Sequence, residues 1–228
     1  MFKYKTIKLF PLQINAGQLN LPQKTRQLFV NEIETQATKY TYNDAWTGDV
    51  NGKADLHNNV IFKPLFNLIP NLLKEYCEEL GIKSEKFNFY ITRSWGTRSL
   101  PNQQINMHGH TYAALAFIYY PYIPTHGSGL IIEDKNLFNE LIPDLFTPDL
   151  NNYKKLMHQN VTGTCNSVTI PVQTDDYIIM PAKTIHGTNT SPKTKEPRYS
   201  IAVDIVMTLK EIEDIEPCLP PVTKWDLI

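Results

Sequence analysis

The 228-residue sequence predicts a mainly β protein, a barrel or two-sheet jelly roll, with helices supporting it from the N-terminal side. Two observations carry that prediction. From Lys86 onward the chain breaks into short runs rich in Ile, Val, Tyr and Phe, divided by Gly, Pro and Asn. Before Lys86, apolar residues instead recur at helical spacing. With no internal repeat, low-complexity tract or clear linker, residues 1–228 are expected to form one domain. Within it, 1–85 is the helical support region, 86–210 the β core, and 134–163 an insert in that core.

Residues 21–40 combine near-helical apolar spacing with Pro22 close to the start, which predicts an amphipathic helix. The stretch 43–59, rich in Asn and Asp with two glycines, reads as turns. Residues 62–81 predict a second helix closed by Gly81. Pro70 lies inside that pattern, so the helix should kink there or start afresh. Strand-like runs follow at 87–95, 103–110, 114–121, 129–134, 166–172, 177–181 and 198–207. The insert looks helical and irregular, and an excursion of that length is either a lid over a site or a plain decoration.

Composition removes several function classes. Lys+Arg 22 against Asp+Glu 23, interspersed, leave a net charge of −1 and no basic stripe of the kind a nucleic-acid surface needs. Cys77, Cys165 and Cys218 are widely spaced and form no C-x-x-C pair, so neither a disulfide framework nor a zinc knuckle is expected. The opening MFKYKTIKLFPLQI lacks a long apolar core, and no stretch is apolar enough to span a bilayer. The expectation is a reduced, cytoplasmic protein.

The chemistry concentrates in a few residues. His108 and His110 are two apart, so on a strand both would face one way and could aim at a single ion. His186 could bring a third nitrogen from another strand. Imidazole suits iron, zinc, copper and nickel. Arg198 and Ser200 share a strand face, and a guanidinium fork with a nearby hydroxyl is suited to gripping a carboxylate. An isolated H-x-H also fits a polar strand face, and Arg198 alone also fits an edge salt bridge. Together they suggest a metal centre that binds an acid co-substrate beside the ion. A common iron-binding face has two histidines and one carboxylate. Here His110 stands where the acid is expected, and Glu133 or Asp134 are the nearby acids that could replace it.

These pieces, read in order, resemble the 2-oxoglutarate/Fe(II)-dependent dioxygenase superfamily. The segments are HGH at 108–110, FIYYP at 117–121, MPAKTIHGTNT at 180–190 and RYSIAV at 198–203. The resemblance is to the small H-x-H oxygenases of phages and bacteria, which are themselves similar to prolyl hydroxylases. It implies a double-stranded β-helix, with Fe(II), 2-oxoglutarate and O2 as cofactors. It further implies His108, His110 and His186 around the metal, and Arg198, Ser200 and Tyr120 on the distal carboxylate of 2-oxoglutarate. Tyr119 and Tyr120 point to opposite faces, and the second tyrosine is the one the resemblance selects. The implied activity is hydroxylation of an unactivated C–H bond with release of succinate and CO2. The substrate would be a prolyl residue of a peptide or protein, or a small molecule.

Two other readings remain open on the sequence. Residues 175–189 resemble the second cupin motif, which would make the chain a metal-binding isomerase or binding module, but TYAALAF after H-x-H lacks the glutamate of the first motif. A catalytically silent scaffold is the other. Trp95, Tyr112 and Tyr122 are candidate pocket walls, whereas His57, His126 and His158 read as ordinary surface residues.

Overall fold

The computed structural model describes residues 11–37, 54–133, 166–212 and 218–227. Nine strands are formed there: β1 Asn15–Gln18, β2 Phe87–Ser99, β3 Ile105–His108, β4 Leu115–Tyr122, β5 Leu130–Glu133, β6 Ser167–Ile170, β7 Asp176–Pro181, β8 Ile185–Thr188 and β9 Arg198–Leu209. They pair antiparallel into a five-stranded sheet ordered β1-β7-β4-β9-β2 and a four-stranded sheet ordered β3-β8-β5-β6. This is the predicted two-sheet jelly roll. All seven sequence-predicted strand runs are strands, shortened or lengthened at their ends. β1 and β8 lie outside those seven runs, since NAGQ and IHGT are short and have no run of apolar residues.

Two helical segments match the expectation, with adjusted ends. Helix α1 spans Gln23–Gln36 directly after Pro22. The second helix does not kink at Pro70 but breaks, giving α2 Lys63–Phe66 and α3 Ile69–Glu79 with Pro70 in the first turn of α3, where its missing N–H costs no bond. Gly81 ends α3 at φ 74°. Its N–H bonds the Glu78 carbonyl at 2.9 Å and the Ile82 N–H bonds that of Cys77 at 2.8 Å, which closes the helix as a Schellman motif. The expected insert 134–163 lies outside the described residues.

Strands β4 and β9 are buried on both faces, and their alternation builds two cores. One row, with Phe117, Tyr119, Ile201, Val203 and Ile205, packs under the helices with Phe29, Ile33, Leu65 and Leu73. The opposite row, with Ala116, Ile118 and Tyr120, packs between the sheets with Ile178, Met180, Leu130 and Ile132. The helices therefore cover the outer face of the larger sheet, leaving the space between sheets for a site. No helix among the described residues is long and apolar enough to cross a membrane.

The α1 register sets a simple test. Phe29 is fully buried, stacked on Phe62 at 5.1 Å and edge-on to Tyr119 at 6.3 Å. Phe29→Ala should cost about 3–5 kcal/mol in denaturant unfolding, whereas Leu28→Ala, at a half-exposed neighbour, should stay within about 0.5 kcal/mol.

Candidate metal centre and co-substrate pocket

The three sequence-predicted histidines meet. One ring nitrogen from each of His108, His110 and His186 lies within 4.8 Å of the other two, and among the described residues theirs is the one such cluster. His108 ends β3 and stands directly opposite His186 on β8. That closeness depends on Gly187, where a Cβ would sit 2.7 Å from the Ile105 carbonyl oxygen and 2.7 Å from the Met107 sulfur. His110 differs from the strand-face expectation. It lies past the end of β3, held by its backbone N–H bonding the Ala182 carbonyl at 2.8 Å.

Each ring has its Nδ1 occupied. His108 Nδ1–H donates to the Asn106 carbonyl at 2.8 Å, and His186 Nδ1–H donates to that of Thr184 at 2.8 Å. His110 Nδ1–H donates to the carboxylate of Asp204. A carbonyl can only accept, so His108 and His186 carry the proton on Nδ1 and have the acceptor lone pair on Nε2. His110 Nε2 and His186 Nε2 face each other at 3.4 Å. A proton or a shared ion can bridge that gap, and ligands about 2.1 Å from one ion stand roughly 3.0–3.4 Å apart. Burial drives His186 down from its ordinary value to about 3, with the neighbouring His108 and His110 adding to the effect. A histidine held neutral is a ready ligand. The donor set thus fits a borderline divalent metal.

Beyond the histidines, the pocket is lined by Trp95, Thr97, Tyr120, Arg198, Ser200 and apolar residues including Ile118 and Leu130. Arg198, Ser200, Ala202 and Asp204 form the inward row of β9, opposite Ser99, Thr97, Trp95 and Arg93 of β2. Arg198 is only 3% exposed, and its guanidinium lies over the Tyr120 ring at 5.0 Å. No carboxylate among the described residues forms a salt bridge with it, and its Nε has no hydrogen-bond partner. Burial accordingly lowers its pKa and pushes that of the Tyr120 hydroxyl up to about 12, so that phenol stays a donor. A buried cation and two hydroxyls without an anion form a cradle for one carboxylate.

Tyr119 does point the other way, donating to Asp175 at 2.6 Å under the helices. Glu133 ends β5 and takes no part in the histidine cluster, and Asp134 lies outside the described residues. Of the candidate walls, Trp95 lines the pocket and stacks on His110, Tyr112 is 92% exposed, and Tyr122 donates to Glu196. His57 pairs with Ser94, His126 is an exposed turn residue, and His158 lies outside the described residues. Asp204 was missed by the sequence reading. Burial raises its pKa, but bonds and charges from His110 and Arg93 outweigh that and leave it lowered, an anion. The available signal was an acid in phase with Arg198 and Ser200 along an apolar strand.

Known proteins resemble this chain in sequence family and in fold. Residues 93–204 match a family model described as "Putative 2OG-Fe(II) oxygenase". No curated protein matches the sequence significantly. Among solved structures, AviO1 from Streptomyces viridochromogenes is 15% identical, over 86% of this chain and 90% of that one, with a TM-score of 0.52. HygX from Streptomyces hygroscopicus, with nickel and 2-oxoglutarate bound, is 12% identical over 86% and 83%, with a TM-score of 0.52. SnoN, a non-heme alpha ketoglutarate dependent epimerase from nogalamycin biosynthesis, is 12% identical over 87% and 80%, with a TM-score of 0.53. At such identities the likeness speaks for the fold, and the matched segment spans the histidine pair, His186 and the inward row of β9. That match and that fold make the chain similar to the 2-oxoglutarate/Fe(II) oxygenases.

Proposed function

We propose that the chain is a hydroxylase that binds Fe(II) through His108, His110 and His186 and 2-oxoglutarate through Arg198, Ser200 and Tyr120. The observation that carries this reading is the pairing of three converging imidazoles with a buried arginine that no carboxylate among the described residues neutralises, all in one pocket. When bound, iron supplies the oxidising chemistry: O2, 2-oxoglutarate and a substrate C–H become succinate, CO2 and C–OH. Arg198 fixes the far carboxylate of the co-substrate, and the hydroxyls of Tyr120 and Ser200 add donors to it. That anchoring orients the keto-acid end toward the histidines. Ile118, Leu130 and Trp95 keep the pocket apolar and exclude water from it.

A prolyl substrate was motivated by the segments at Tyr119–Tyr120 and Arg198–Ser200. Those residues build the co-substrate end and bear little on what is oxidised. A structure of HygX holds hygromycin B beside nickel and 2-oxoglutarate, which favours a small molecule as the first substrate class to screen. A cupin-type metal module would have no use for a buried arginine in the pocket.

Arg198→Ala should keep metal uptake yet raise the 2-oxoglutarate concentration for half-maximal succinate release by 30-fold or more, the order expected for losing about 2–4 kcal/mol of charge-assisted bonding. Anaerobic Fe(II) titrations with 2-oxoglutarate check it through the visible charge-transfer band; an unchanged band in the variant counts against the assignment. Metal-free protein also has a pH signature. Unfolded His186 titrates near 6.5, while the folded residue resists protonation down to about 3. Between those values the unfolded chain holds more protons, so stability falls as pH drops, by up to about 1.4 kcal/mol per pH unit from this residue. Denaturant midpoints at pH 7.5 and 5.5 should fall further in wild type than in His186→Gln.

A further inference from the structure

Imidazole ligands bring a divalent ion no negative charge, yet an anion stands one ring away from the cluster. Asp204 is 3% exposed on the inward face of β9, paired in register with Ala116 on β4 and Arg93 on β2. Its Oδ1 accepts from His110 Nδ1–H. Its Oδ2 accepts from Arg93 Nε at 2.9 Å and Nη2 at 2.8 Å. Both oxygens are therefore held, and the carboxylate cannot turn away from the ring.

His110 needs this support more than its partners do. His108 and His186 lean on carbonyls two residues back in the chain, whereas His110 sits beyond its strand end. The ring is instead boxed: Trp95 stacks on it at 5.9 Å, and Arg93 lies over Trp95 at 5.1 Å while also gripping Asp204. Arg93, Asp204, His110 and Trp95 close a ring of contacts, three of them from adjacent strands β2 and β9.

We propose that Asp204 is the positioning carboxylate of this metal centre, supplying through His110 the negative charge that a directly ligating acid would otherwise bring. The proposal rests on the three-histidine reading above. Asp204 fixes the Nδ1–H tautomer, aims Nε2 into the cluster and makes that nitrogen a stronger donor, as a carboxylate behind a ligating histidine does. Arg93, 40% exposed at its side chain, orients the acid from a position where solvent screens its own charge. The acid is thus moved in sequence from two residues after His108 to a position 94 residues after His110.

The test uses the metal-free full chain and Co(II) alone, titrated against a chelator. Asp204→Asn, which preserves shape and removes charge, should bind Co(II) about 10- to 100-fold more weakly, with its visible d–d spectrum altered. His186→Ala serves as the reference for the histidine reading and should weaken binding at least as much. Asp204→Asn binding within twofold of wild type, while His186→Ala is impaired, overturns the role of Asp204 alone. Wild-type binding by His186→Ala overturns the three-histidine reading and the proposal with it. Should Asp204→Asn fail to fold, nitrogen NMR of Zn(II)-loaded wild type decides the matter. His110 should ligate through Nε2 and show an Nδ1 proton further downfield than those of His108 and His186. Ligation through Nδ1, or an equal proton shift for all three, overturns it.

Discussion

The two-residue alternation of β9 is the constraint on which the molecule depends. Held between β4 and β2, the strand has no solvent face, so each residue must serve one core or the other. Its odd positions, Tyr199, Ile201, Val203 and Ile205, anchor the helices to the larger sheet. Its even positions, Arg198, Ser200, Ala202 and Asp204, face the smaller sheet. A one-residue slip would bury a guanidinium and a carboxylate under the helices and empty the site of its polar groups. Fold stability and site composition are thus written into the same register.

The polar half of that register is costly to bury, and the site shows how the cost is met. Asp204 is satisfied at both oxygens within the protein. Arg198 has no carboxylate partner among the described residues, and its burial is costly without one. The histidines follow the same logic, with Nδ1 satisfied inside the fold and Nε2 left to converge.

Much of this was legible from the chain. Short runs rich in Ile, Val, Tyr and Phe located β2, β4, β7 and β9, because strands buried on one or both faces are dense in such side chains. H-x-H, the late histidine and R-x-S located the pocket, since each pair carries its own local spacing. What stayed hidden was relational. Nothing near Asp204 announces that it meets His110 across a sheet, and an acid in a strand has no local motif. His110 was expected on a strand face, but β3 ends at His108 and the chain turns, so its orientation comes from Asp204 and Ala182 instead of from the pleat. The break of the second helix at Pro70 was left open because proline tolerates both a kink and a first-turn position. β1 escaped notice since its four residues are held by pairing with β7 and carry little apolar signal.

The bare backbone at Gly187 has a wider consequence. Two strands distant in sequence can present donors to one point only if the gap between them is as narrow as hydrogen bonding permits, and here a single hydrogen atom marks that limit. The carbonyl of Ile105 cannot yield as a flexible side chain would. A side chain at this position would therefore push β3 away from β8 and draw His108 apart from His186.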